Sequence, residues 1–113
     1  MSILSVALGA KEATAYGLPG VGDLEVTGLS GRNKVYGVRI GRGEGAKVAL
    51  KTMEELEQTV EGVPAIPLAI RLVEQTGGVK DRLPLLYAAE QIVYGDDPDY
   101  ANILARAVLP ARP

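Results

Sequence analysis

Residues 30–41, SGRNKVYGVRIG, decide the fold. Tyr36, Val38 and Ile40 alternate with Gly37 and Arg39, which would suit a strand with one buried face. Ser30 can equally serve as the N-cap of a helix beginning at Gly31 or Arg32. The rest of the chain settles the choice. No second stretch of comparable strand quality exists, and a lone strand would leave its backbone N–H and C=O groups unpaired. Helix is the expected state here, and the fold class becomes all-α, a compact multi-helix bundle.

Toward the C-terminus, Gly41, Gly43 and Gly45 break the first pattern. From Lys47 the apolar spacing predicts a helix with Val48, Met53, Leu56 and Val60 on one face, ending near Gly62. Pro64 is placed to start the next helix, with Pro67 still in its first turn. Ile66, Ile70 and Val73 would face the core until Gly77 and Gly78 stop it. Leu83 and Pro84 open a helix through Leu85, Ala88, Ala89 and Ile92, closed by Gly95. Asp97 is placed to cap the last one, with Pro98 first and Tyr100, Ile103, Leu104 and Val108 inside. Pro110 ends it, leaving 110–113 as a free tail.

Toward the N-terminus, residues 1–15 read as helix with Ile3, Leu4, Ala7 and Leu8 on one face. Met1 has no N-cap before it, so the run is expected to begin inside a longer helix. GLPG at 17–20 is a breaker, and DLEVT at 23–27 is too short to classify. There are no internal repeats, coiled-coil heptads or low-complexity linkers. One domain spanning residues 1–113 is expected.

Composition narrows the chemistry. Hydrophobic residues make up 47% and charged residues 23%, the balance of a globular chain rather than a disordered one. With neither Cys nor His, the chain can supply no thiolate nucleophile, imidazole base, disulfide scaffold or Cys/His zinc site. The opening MSILSVALGA lacks a basic flank and is too short to span a bilayer, so a cytoplasmic protein without membrane insertion is expected. Residues 31–51 carry six basic side chains against one acid, whereas residues 52–100 carry ten acids against three bases. A basic segment in an acidic protein suits a small anion better than a nucleic acid. Tyr36 is the one aromatic residue in that segment, so no platform for stacking bases exists.

Candidate chemistry concentrates in residues 17–34, GLPGVGDLEVTGLSGRNK. Neither G-x-x-G-x-G at 17–22 nor G-x-G-x-G at 41–45 follows a strand, so dinucleotide-fingerprint and P-loop readings fail on context, leaving turn-making glycines. A helix starting near Arg32 would offer free N–H groups and a positive dipole end, to which Arg32 adds a planar fork and Asn33 an amide. Gly31 would let a ligand approach the backbone. The plainer alternative is a capped helix with a solvated arginine. Asp23, with Thr27 four residues on, is either a carboxylate orienting a catalytic group or a turn residue. Glu61, expected at a helix C-terminus where an acid opposes the dipole, is either functional or a solvated surface acid. The acids at 96, 97 and 99 read as capping groups, not as a metal site.

These motifs together, GLPGVGDLEVT, then SGRNK, then VEG after a helix, resemble the C-terminal domain of NAD(P)-dependent glycerol-3-phosphate dehydrogenases. The resemblance covers roughly residues 2–109 and rests on the G-x-G-D-L-x-x-T and G-R-N combination. It implies a helical substrate-binding domain of the 6-phosphogluconate-dehydrogenase-like type, overriding the alternation at 36–40. It also implies that Asp23 and Thr27 belong to the catalytic network, with Asp23 near the substrate hydroxyls. Gly31, Arg32 and Asn33 would hold the substrate phosphate, while Arg32 and Glu61 would reach the cofactor. The implied reaction is NAD(P)H-dependent interconversion of dihydroxyacetone phosphate and sn-glycerol 3-phosphate. The family's dinucleotide-binding domain and catalytic lysine lie upstream of the residues present, so NAD or NADP would bind only with that domain. This chain alone is expected to bind phosphate weakly and to be inactive. Many bacterial members have Ser where this chain has Gly31, which leaves no hydroxyl contact there.

Two alternatives stand beside this one. The chain could be a non-catalytic helical module, dimeric through an apolar face and retaining only a phosphate pocket. It could also be the C-terminal domain of another two-domain hydroxyacid dehydrogenase.

Overall fold

The computed structural model describes residues 2–13 and 31–109. Six α-helices lie wholly within them: α1 (Ser2–Ala7), α2 (Arg32–Gly41), α3 (Ala46–Glu55), α4 (Gly62–Thr76), α5 (Pro84–Val93) and α6 (Tyr100–Val108). A 3-10 turn, Lys80–Arg82, leads into α5. Among the described residues there is no strand. The expected all-α class is the observed one.

The ambiguous stretch is α2. Tyr36 and Ile40, four residues apart, are buried, whereas Val38, which a strand would have placed on their face, is 41% exposed. The N-cap is Gly31, extended at φ −66° and ψ 155°, and no side chain caps the helix. Ser30, the expected cap, lies outside the described residues.

Helix ends explain where the sequence pattern misleads. Past α2, the Gly43 N–H bonds to the Ile40 carbonyl and the Glu44 N–H to the Arg39 carbonyl, with Gly43 at φ 94°. This is a left-handed C-terminal closure, and Arg39 reinforces it with a 3.2 Å ion pair to Glu44. The same closure ends α3 through Glu57, at φ 57° although it is not glycine. It therefore stops α3 at Glu55, well short of Gly62. The face expected there is corrected accordingly: Ala46, Ala49 and Met53 are buried, Val48 and Leu56 point outward, and Val60 is buried from the following loop. Two alanines let α3 approach its neighbours closely, and their small size hid that face from a search for large apolar residues. α1 likewise ends at Ala7 instead of 15, with Gly9 turning left-handed at φ 96°.

α4 begins at Gly62, so Pro64 falls in its first turn, where a missing N–H has no intrahelical acceptor to serve. Pro67 is a correction to the expected register, because it sits in the helix interior. It cannot donate to the Val63 carbonyl four residues back. The Tyr94 hydroxyl does so instead, at 2.6 Å. Ile70 and Val73 are buried, as expected.

α5 packs against α3, α4 and α6, burying Ala88 and Ile92, and α2 packs on α3. The main core joins these to Tyr36, Ile40, Ala46, Ala49, Met53, Val60 and Ile103, with no buried charged side chain among the described residues. Tyrosine hydroxyls tie the layers: Tyr36 donates to the Ala46 carbonyl at 3.0 Å, and Tyr100 to the Gly41 carbonyl at 3.0 Å. α6 starts at Tyr100 with Asp99 as N-cap, so Asp97 and Pro98 precede the helix. The Asp97 carboxylate accepts the Asp99 N–H at 2.9 Å, a local turn that takes the place of the expected cap. On α6 Ile103 is buried, while Leu104 and Val108 face outward. No helix among the described residues is long and apolar enough to cross a membrane.

Candidate anion site at two helix N-termini

The helix geometry leaves the first N–H groups of α2 without intrahelical acceptors, and the first turn, Arg32, Asn33 and Lys34, contains no acid. Both facts make this end electropositive. Arg32 is exposed, and its guanidinium makes no hydrogen bond or ion pair with any described residue. Gly31, the N-cap, is half-buried and places no side chain over the helix end.

A second N-terminus meets the first. The Gly62 N–H, at the start of α4, donates to Asn33 Oδ1 at 3.0 Å. A backbone N–H can only donate, so the Asn33 carboxamide must present its oxygen to Gly62. Its Nδ2 group keeps both N–H donors and has no acceptor among the described residues. Arg32 and Asn33 thus offer a charged fork and an amide donor at a positive helix end, a set suited to a phosphate or carboxylate.

Below this bridge lies a mostly apolar cleft of about 200 Å³, lined by Asn33, Tyr36, Gly37, Val60, Gly62 and Val93 among others. Tyr36 adds no acid–base chemistry to it. Burial first, then the charges of Asp96 and Tyr94, push its ionisation above the ordinary tyrosine range, and its hydroxyl is held by Ala46. The larger groove nearby, about 530 Å³, is rimmed by Glu54 and Glu57 and is the wrong sign for an anion.

Glu61 is exposed and is the N-cap residue of α4, its side chain making no cap bond. This corrects the expected placement at a helix C-terminus, because α3 ends at Glu55 and the dipole near Glu61 is that of α4. At an N-terminus an acid is favoured, so the unfavourable-dipole argument for a special role disappears. The bridge does bring Glu61 beside Asn33 through its neighbour Gly62. Asp23 and Thr27 lie outside the described residues. Sequence reasoning missed the Asn33–Gly62 bond, which spans 29 positions. Its only trace in the sequence is the glycine after Glu61, which local pattern reads as a helix stop. No group of three or more acidic side chains that could hold a metal ion occurs among the described residues.

The described residues thus form a helical domain that presents Arg32 and Asn33, both exposed, at a helix N-terminus. The family model for the NAD-dependent glycerol-3-phosphate dehydrogenase C-terminus matches residues 1–102, and the chain belongs to that family. It is 34% identical to a glycerol-3-phosphate dehydrogenase [NAD(P)+] of Agathobacter rectalis, with 87% of this chain and 28% of that protein covered. Proteins of the same name from Trichlorobacter lovleyi (35% identical, 92% of this chain and 30% of that protein) and Symbiobacterium thermophilum (36%, 100% and 31%) are similarly related. The chain therefore spans about three-tenths of the length of these relatives. No solved structure matches it.

Proposed function

We propose that this chain is the substrate-binding part of an NAD(P)-dependent glycerol-3-phosphate dehydrogenase, interconverting dihydroxyacetone phosphate and sn-glycerol 3-phosphate. The observation that carries this reading is the pairing of family membership with an exposed Arg32 and an Asn33 Nδ2 group, neither of which has an acceptor among the described residues, at the start of α2. In it, Arg32 and the Nδ2 group of Asn33 hold the substrate phosphate, and Gly31 keeps the backbone open to it. Asp23 and Thr27 act in the catalytic network. Glu61 and Arg32 reach the nicotinamide cofactor, which binds chiefly through residues outside this chain. When bound, the nicotinamide supplies the hydride that, with one proton, converts the C2 carbonyl to the secondary alcohol. The residues present contribute position: a fixed phosphate holds the carbonyl within reach of the hydride. A cytoplasmic location belongs to the same reading.

The test is titration of the purified 113-residue chain with glycerol 3-phosphate, followed by NMR. Weak saturable binding is expected, weakened at least tenfold in Arg32→Ala, with glycerol itself unable to compete. Turnover of NADH and dihydroxyacetone phosphate by this chain alone is expected to be nil; measurable turnover would sink the assignment of hydride chemistry to a larger assembly. Binding of glycerol as tight as that of glycerol 3-phosphate would sink the phosphate assignment.

A second reading, a homodimer, is favoured by the exposed apolar side chains. Leu68 and Leu72 lie one turn apart on α4, and Leu104 and Val108 one turn apart on α6. Light scattering on the purified chain decides it: a mass near twice 11.9 kDa supports the dimer, and a monomer at high micromolar concentration excludes it.

A further inference from the structure

Gly62 is an unexpected residue for the first position of a helix. Glycine is about 1 kcal/mol worse than alanine inside helices, and Gly62 is not among the residues with positive φ, so its backbone does not require glycine. Space does. A Cβ at this position would lie 2.8 Å from Asn33 Oδ1 and 3.1 Å from Asn33 Cγ, closer than real Cβ atoms come to an amide oxygen.

The same residue supplies the N–H that Oδ1 accepts at 3.0 Å. An asparagine held by nothing can turn either its oxygen or its NH₂ toward a ligand, and the oxygen repels an anion. With the oxygen tied to Gly62, only the NH₂ remains for a ligand. We infer that Gly62 is a positioning residue of the anion site, its N–H and its missing Cβ together fixing the Asn33 carboxamide with Nδ2 left as donor. The inference rests on the phosphate reading of Arg32 and Asn33. It adds a residue that touches no ligand and acts through another.

Three variants of the 113-residue chain test it: Gly62→Ala, Asn33→Ala and the double substitution, each titrated with glycerol 3-phosphate. Alanine is a better helix former than glycine at this position, so Gly62→Ala should keep the helix, which circular dichroism verifies. A lost charge-assisted amide bond corresponds to roughly a tenfold weaker binding. Gly62→Ala and Asn33→Ala should each show about that loss, and the double variant should be no weaker than Asn33→Ala alone. Wild-type affinity in Gly62→Ala, or losses that multiply in the double variant, would overturn the inference.

Hydrogen exchange at the Gly62 amide gives a readout independent of ligand. It should accelerate in Asn33→Ala and stay slow in Asn33→Asp, which keeps the acceptor but loses the donor and should not bind the anion. Equal exchange in all three proteins would remove the bridge itself. A wild-type chain that binds neither glycerol 3-phosphate nor inorganic phosphate, yet shows the expected exchange pattern, would instead refute the phosphate reading and leave the bridge standing.

Discussion

Pro67 and Tyr94 are expected to be energetically coupled, although Pro67 lies inside α4 and Tyr94 just past the end of α5. Proline inside α4 deprives the Val63 carbonyl of its i+4 donor, and Tyr94 Oη, 2.6 Å away, is the replacement. Tyr94→Phe removes that donor and little else. A neutral hydrogen bond contributes about 1 kcal/mol net, and the half-exposed position of Tyr94 puts this one at or below that figure. The expected loss is thus about 0.5–1 kcal/mol, a fall in Tm of roughly 2–5 °C for a chain of this size. Pro67→Ala restores a backbone donor to Val63 and should itself stabilise α4 by removing the clash of the ring with the preceding turn. In the Pro67→Ala background the Val63 carbonyl has its helical partner, and Tyr94→Phe should cost less than half as much. Urea denaturation of the four proteins in the cycle gives the coupling directly. Distant, independent sites add to within about 0.3–0.5 kcal/mol. A Tyr94→Phe cost that is the same in both backgrounds would mean that the hydroxyl does not substitute for the missing N–H.

Other substitutions test the helix ends and the charge pattern. Glu57→Gly should stabilise the chain by about 0.5–1 kcal/mol in thermal melts, because Glu57 is held at φ 57°, where a side chain is unfavourable; a destabilised variant would show that the carboxylate makes a contact worth more than the strain. Asp96 Oδ1 accepts the Lys47 N–H at 3.3 Å and so caps α3 from across the fold. Asp96→Ala should therefore lose roughly 1 kcal/mol, while Asp96→Asn keeps most of it. Asp97 is held below the ordinary carboxylate range, chiefly by the Asp99 N–H and next by the Gln91 amide. A depressed folded-state value means that its contribution is present above the unfolded pKa and disappears as pH falls through the folded one. The acid limb of a Tm-against-pH curve should accordingly be flatter in Asp97→Asn than in the wild type, and identical curves would rule out a role for this carboxylate.

What the sequence made legible depends on range. The all-α class followed by elimination from one stretch, since a single strand at 36–40 had nothing to pair with, and α2 is indeed helix. The glycines at 43 and 45, both at positive φ, marked a real break. Local pattern failed where packing used small residues. Ala46 and Ala49 carry the α3 contact, while Val48, whose size marks it as a core candidate, is 59% exposed. It failed again where a helix end depended on a non-glycine residue in a left-handed conformation, because Glu57 bears no compositional mark of a stop. That one misplaced end then put Glu61 on the wrong side of a helix dipole. Arg32 and Asn33 stood out through the motif around them, but the partners of the site and of the helix starts did not. Asn33 to Gly62 and Lys47 to Asp96 are contacts across 29 and 49 positions, and no local periodicity encodes them.

These long-range bonds share one physical task. Neither α2, α3 nor α4 has a side-chain cap supplied by its own N-cap residue. Helix N-termini carry unpaired N–H groups that must be satisfied by something. α3 receives Asp96 at the Lys47 N–H, and α4 receives Asn33 at the Gly62 N–H, each from a different part of the chain. These caps therefore form only when the tertiary fold does, which ties helix formation to packing. α2 differs from both. Among the described residues no acid and no side-chain cap bond serves its start, and the residues there are Arg32 and an Asn33 whose oxygen is already committed to α4. Two of the three helix starts are closed by the protein itself, while the third is left positive and donor-rich beside an open cleft. Among the described residues α5 and α6 also lack a side-chain cap bond, but the α2 start differs from theirs in carrying Arg32 and the Asn33 Nδ2 donor, groups that complement an anion.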